Sequence, residues 1–337
     1  RELGLTGRNE LPVENEVIAG QWWQVGEQKP QVSIESNMAE RLDINLGDDF
    51  SYKVLVSDAD GDALTVTAPT LPEWMSLDLE PRTVSTFTNV VHSPNYIDRD
   101  ILGNIYVADG GDFTIKRIDS EGLITVIAGN GSAGHLDGTG TSAQFTSPNG
   151  ITRDDSGNLY VTDGHRVRKI TPSGVVSTLA GSGVFSLSDG TGTEASFRLP
   201  TDLDVGPDGN IYVVDRINNR IRKITPSGVV STFLGGGTVG LSDATGTNAE
   251  FTAPIGIVID ELGNIYIAQQ GAIRKATAAG VVTTIAGSGT TAAADGTGSS
   301  AGFHTPTGIT LGNDGNLYVA DNQANQIRRV TMDGVVT

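Results

Sequence analysis

The tetrad Gly-Asn-(Ile/Leu)-Tyr occurs five times, ending at Tyr106, Tyr160, Tyr212, Tyr266 and Tyr318, at spacings of 54, 52, 54 and 52 residues. So regular a copy means one structural unit laid end to end, each copy burying its apolar face against the next. In the third copy Phe197 and Pro200 precede GNIYVVD, ending at Asp215, then RIRKIT, then SGVVSTFLG ending at Gly235. Four short β-branched runs divided by turn residues describe one blade of a β-propeller. The pattern predicts an all-β chain and leaves function open, because propellers host unrelated activities.

Each first strand follows a proline: NGITRD from Asn149, TDLDVG from Thr201, IGIVID from Ile255 and TGITLG from Thr307. Turns such as Asp155-Ser156-Gly157-Asn158 lead into the second strand, and Pro172-Ser173-Gly174 separates the third from the fourth. A long Gly-rich connector, for example Gly181 to Phe197, crosses to the next blade and ends in a recurring aromatic, Phe145, Phe197, Phe251 or Phe303. An aromatic repeated at that phase fills the gap between adjacent blades. The Ala-x-Phe approach forms at most a single helical turn.

The composite PxGIxxDxxGNxYVxDxxxxxIRKIxxxGxVxTxAG resembles the NHL-repeat propellers, and the DGTGTxAxF connector resembles their bacterial exported members. Four copies match nearly throughout, and the first, residues 94–129, matches without its connector. The resemblance implies a binding or scaffolding propeller more often than an enzyme. Before the repeats, Ser51 to Asp78 resembles the central part of a bacterial cadherin-like or putative-Ig module. Glu10 to Asp48 is similar to the extracytoplasmic part of some ABC-transporter permeases.

Tyr52 lies 54 residues before Tyr106, in phase with the repeat, and FSYKVLVSD, ALTVTAP and RTVSTF parallel three blade strands. The expectation is a six-bladed ring: an N-terminal extension at 1–40, a degenerate blade or partial cadherin-like module at 41–88, and regular blades of about 53 residues over 89–337. Five blades preceded by a separate partial sandwich is the alternative.

The chain has 337 residues and a formal net charge of −18, from 22 basic and 40 acidic side chains. Such a surface repels nucleic acid and anionic membranes and suits a cation or a basic partner. There is no cysteine, so no disulfide and no thiol chemistry. No apolar run approaches the roughly 18 residues that span a bilayer. The chain opens at Arg1 and stops within a repeat at Thr337, which reads as part of a larger multidomain chain with any signal peptide removed.

Repetition separates scaffold from function: a residue found in every blade is explained by geometry, and a pattern breaker is the better functional candidate. Asp109, Asp163, Asp215 and Asp321 recur at the end of the second strand, with Gln269 in the remaining blade. They read as a carboxylate ring for a cation, or as turn caps paired with third-strand arginines. The pairs Lys116-Arg117, Arg168-Lys169, Arg222-Lys223, Arg274-Lys275 and Arg328-Arg329 would suit RNA in another context, but overall charge favours local ion pairs. Connector Asp137, Asp189, Asp243 and Asp295 read as turn formers.

Asp58, Asp60 and Asp62 have the D-x-D-G-D spacing of calcium loops, with Gly61 for the tight turn. The twelfth position is Pro69, so this is no EF-hand; a cadherin-like calcium site or an ordinary acidic turn are the two readings. The four histidines show no metal-ligand spacing, and neither HExxH nor GxSxG is present.

With four antiparallel strands per blade, the second-to-third loops and the connectors emerge on one face. The pattern breakers gather there: Asp112, His165, Arg216, Asn218, Asn219, Gln269, Gln270, Asn322, Gln323 and Asn325. Asp202 joins them, replacing the glycine found at 150, 256 and 308. Small amides on a rigid ring can hydrogen-bond sugars or peptides.

The sequence thus leads to a non-catalytic recognition or structural module of an exported or cell-surface bacterial protein, extracellular or periplasmic. Its loop face would bind a protein or glycan. The rival readings are a calcium-dependent adhesion segment using 58–62 and a propeller-type lyase or lactonase.

Overall fold

The computed structural model describes residues 91–337. They form five antiparallel sheets in chain order. Blade I comprises Pro94–Arg99, Ile105–Asp109, Thr114–Ile118 and Ile124–Ala128 from the axis outward. Blade II comprises Pro148–Arg153, Leu159–Asp163, Arg166–Ile170 and Val175–Ala180, and blade III Pro200–Val205, Ile211–Asp215, Arg220–Ile224 and Val229–Leu234. Blade IV comprises Gly256–Ile259, Ile265–Gln269, Ala272–Ala276 and Val282–Ala286, and blade V Pro306–Leu311, Leu317–Asp321, Gln326–Val330 and Val335–Val336.

The diagnostic tetrad is a turn staple. In blade II the Asp154 carboxylate accepts the backbone and side-chain N–H of Asn158 at 2.8 and 2.7 Å and the Tyr160 hydroxyl at 3.0 Å. Asp100 and Asp260 repeat this with their own Asn and Tyr. In blades III and V the acid sits two residues closer to the Asn, as Asp208 and Asp314. These contacts fix the turn between first and second strands, which is why the tetrad survives in every copy.

Side chains alternate across each strand, so one face of a blade meets the opposite face of the next. Ala108, Ile115 and Ala128 of blade I pack on Ile151, Leu159, Val161 and Ile170 of blade II, with Phe145 in the same core. Equivalent cores join blades II to III, III to IV and IV to V. All four recurring phenylalanines are fully buried. Each connector adds a short strand or bridge to the outer edge of the blade that follows it, as Gly138–Thr139 does on Val175–Ala180. The helical turn lies ahead of Ala-x-Phe, as a 3-10 turn such as Gly192–Glu194.

Among the described residues five blades are present where six were expected. The stretch assigned to the sixth, 41–88, lies outside the described residues, as do 1–40 and the acids Asp58, Asp60 and Asp62. Four inter-blade cores serve five blades, so the outward face of blade V has no partner among the described residues. Ile327 there is 70% exposed, whereas its counterparts Ile115, Val167, Ile221 and Ile273 are 0% exposed. Glycines tell the same story. A Cβ on Gly150 or Gly256 would collide with the backbone of the next blade's inner strand, but on Gly308 it would meet only the Ala320 methyl at 3.9 Å. No helix among the described residues is long and apolar enough to cross a membrane.

Candidate recognition face

The repeated charges are consumed by a clasp. In blade II the buried Arg168 reaches Asp163 at 3.1 Å and Asp137 of the incoming connector at 2.8 Å, and lies 5.2 Å above the Phe145 ring. Asp137 also accepts the Thr178 hydroxyl and N–H. Arg222 with Asp215 and Asp189 over Phe197 repeats this in blade III. Arg328 with Asp295 over Phe303, and with Asp321 at 4.0 Å, repeats it in blade V. Asp163 and Asp321 further accept the backbone N–H groups that lead into the first strand of their own blade, Thr146 and Ser147 in one and His304 and Thr305 in the other. The second basic residue of three pairs turns outward over a staple tyrosine: Lys169, Lys223 and Lys275 lie 5.5 to 5.6 Å from its ring centre.

Two blades depart from the clasp. Blade I substitutes Lys116, whose ammonium lies 2.7 Å from Asp109 and 2.5 Å from Asp112. His92 completes a triad with those acids, close enough together to hold a cation, and Lys116 already neutralises its carboxylates. Blade IV has Gln269 in place of the acid. Its Oε1 accepts from Arg274 at a long 3.4 Å, and its buried Nε2 has no partner. Burial pushes the Arg274 pKa down, while Asp243, in contact at 2.9 Å, and the charge of Glu250 oppose that shift.

The connector aspartates do more than form turns, and a signal for it was present in the chain. Each precedes its arginine by 31 or 33 residues, alternating in step with the 52 and 54 of the repeat.

At the axis the inner strands of several blades converge. Asp202 is buried and accepts the N–H of Leu203 at 3.0 Å and of Ile257, in blade IV, at 2.9 Å. Burial drives its carboxyl pKa well up. Asp204 accepts from the Thr152 hydroxyl, from Ile259 at 2.7 Å and from Val205, and burial pushes its pKa up to about 6. The Tyr96 hydroxyl reaches from blade I to the Ile255 carbonyl at 3.3 Å, which also accepts from Thr201. Asp202 therefore stitches inner strands together at a position where blades II, IV and V carry glycine and blade I carries Tyr96.

On the loop face the second-to-third loops meet the connectors. His165 stacks edge-on against Phe185 with ring centres 5.2 Å apart, and Arg198 lies 4.7 Å above the same ring. The His165 Nδ1 accepts the Leu199 N–H at 3.4 Å. Asn218 is buried and donates to Asp215 at 2.7 Å. Asn219 adopts a left-handed φ of 51° and accepts from Ala253. Asn218, Asn219 and Gln269 are thus held by the scaffold, while Gln270, Asn322, Gln323 and Asn325 are exposed. Arg216 is partly exposed and near enough to Tyr96 to influence it electrostatically. Phe185, Arg198 and Leu199 were not singled out in the sequence. Val184, Phe185 and Leu187 interrupt an otherwise small and polar stretch of connector before Phe197.

A teneurin NHL domain model matches residues 133–199, and an NHL repeat model matches 197–224. Mouse teneurin-4 is 29% identical over 217 residues, 55% of this chain and 8% of the teneurin. Chicken teneurin-1 is 40% identical over 98 residues, 27% of this chain and 4% of the teneurin. The chain therefore spans less than a tenth of the length of these relatives. A structural genomics protein of unknown function from Bacteroides thetaiotaomicron superposes with a TM-score of 0.56 at 24% identity, covering 72% of this chain and 58% of that one. An auxiliary nutrient binding protein from the same organism gives 0.57 at 18% identity, covering 73% and 60%. With blade sheets, turn staples and repeat matches in agreement, the chain is an NHL-repeat β-propeller.

Proposed function

We propose that this propeller is a non-catalytic recognition module that binds a protein or glycan through its loop face, within a larger exported or cell-surface bacterial protein. The observation that carries this reading is the division of labour among the charges. The recurring acids and arginines are committed to clasps, whereas the loop face keeps exposed amides, apolar side chains and arginines without an acid opposite. Placement outside the cell rests on the resemblance of the DGTGT connectors to exported members of the family. A structural calcium ion at Asp58, Asp60 and Asp62 rests on ligand spacing.

The test is an array of secreted proteins and surface glycans probed with the biotinylated full chain and with a Phe185→Ser/Asn322→Ala/Gln323→Ala variant. The reading expects saturable hits that the variant loses. Hits that the variant retains would overturn it.

A further inference from the structure

Building on loop-face recognition, we propose that the seam between blades II and III binds an acidic protein segment carrying aliphatic or aromatic side chains. The seam concentrates exposed apolar groups: Val184 is 60% exposed, Phe185 48%, Ile217 45%, and Leu187 and Leu199 38% each. Monomeric surfaces scatter such residues singly, and a group of them on one rim marks a contact surface. The connector and the loops that carry them are tied together. The Ile217 N–H donates to the Arg198 carbonyl at 3.2 Å, and Asn218 donates to the Ser186 carbonyl at 3.5 Å. Leu199 holds a left-handed φ of 55°, a conformation costly for a branched side chain. Such strain persists where surrounding contacts enforce it, and it concentrates in ligand-binding segments.

Charge selects the ligand. Arg198 lies over Phe185, Arg166 donates to the Ser182 carbonyl in the same connector, and Arg216 immediately precedes Ile217; no carboxylate among the described residues forms an ion pair with any of the three. The Nε atoms of Arg198 and Arg216 are buried without an acceptor. Unpaired arginines are conspicuous in a chain of net charge −18, and guanidinium groups recognise carboxylates through paired N–H bonds. The described residues contain no tryptophan to stack on a sugar ring, and Asn218 and Asn219 at this seam are already bonded. An extended peptide alternating acidic and apolar residues satisfies both halves of the surface, and Phe185, gripped by His165 and Arg198, supplies a rigid anchor.

The test uses fluorescence anisotropy of the full chain with a fluorescein-labelled nonapeptide alternating Glu and Val around a central Phe. A second peptide has Gln for Glu. The proposal expects saturable binding of the acidic peptide, at least tenfold weaker binding of the Gln peptide, and a fall in affinity with salt. Arg198→Gln/Arg216→Gln should abolish binding and Phe185→Ser should weaken it, with circular dichroism reporting that each variant is folded. Should the double variant fail to fold, the peptide comparison and the salt titration on the wild-type chain decide alone. Equal affinity for both peptides, or no saturable binding of either, overturns the proposal. Binding of a sulfated heparin octasaccharide in place of the peptide, lost in the arginine variant, overturns it while leaving loop-face recognition standing. Array hits indifferent to every loop-face substitution overturn both.

Discussion

Replacing Gln269 by Asp should stabilise the propeller, although it buries a new carboxylate. Gln269 is fully buried, its Nε2 has no partner, and its Oε1 meets Arg274 at 3.4 Å, against 3.0 to 3.1 Å for the acids of blades II and III. Removing an unsatisfied buried donor is worth about 1–3 kcal/mol, and a hydrogen bond to a charged partner adds roughly 1.5–3 kcal/mol. Against this stands a carboxylate desolvation cost of about several kcal/mol. That cost is reduced because Arg274 is already buried and has a single ion-pair partner, Asp243, among the described residues. The net expectation is a gain of about 1–2 kcal/mol, which for a domain of this size raises Tm by about 2–8 °C. Calorimetry of wild type, Gln269→Asp, Arg274→Met and the double variant forms a cycle that isolates the new ion pair. An unchanged or lowered Tm for Gln269→Asp, or a gain that persists without Arg274, would refute the clasp argument.

Asp215→Ala should cost about 3–5 kcal/mol in urea denaturation, because it strands Arg222 as a buried charge with Asp189 as its remaining acid; a loss below about 1 kcal/mol would make the clasp ornamental. The pKa of Asp204 rises from 3.8 to about 6 on folding, and that of Asp202 rises well above its ordinary value, so the folded state binds more protons in that range. Stability contributed by these groups below about pH 4 should therefore be lost as pH climbs through 6. Urea midpoints across that range and the Asp204 carboxyl chemical shift check this; a midpoint near 4 contradicts it. If Asp58, Asp60 and Asp62 hold calcium, the ion should raise Tm in wild type and leave Asp60→Ala unmoved, whereas indifference to chelator in both removes the site.

Blades were legible because their signals are local. The Asn158 and Tyr160 contacts to Asp154 lie within six residues, and strand alternation needs only neighbours. The clasp was half legible. Asp163 and Arg168 are five residues apart, but Asp137 reaches Arg168 across a connector, which only the register of spacings betrays. The seam was least legible. His165 appears as a lone pattern breaker until folding brings it to Phe185, and Asn218 looks like a free amide until Asp215 claims it. Repetition marks what every blade shares; which deviant side chains turn inward depends on contacts that no periodicity records.

Hydrogen–deuterium exchange on the full chain, free and with the acidic nonapeptide, tests most directly whether recognition resides on the loop face. The account predicts slowed exchange in 182–188, 197–199 and 216–219, with the staple turns at 100–104, 154–158 and 260–264 unaffected. Protection centred on those turns, or no protection anywhere, would contradict it.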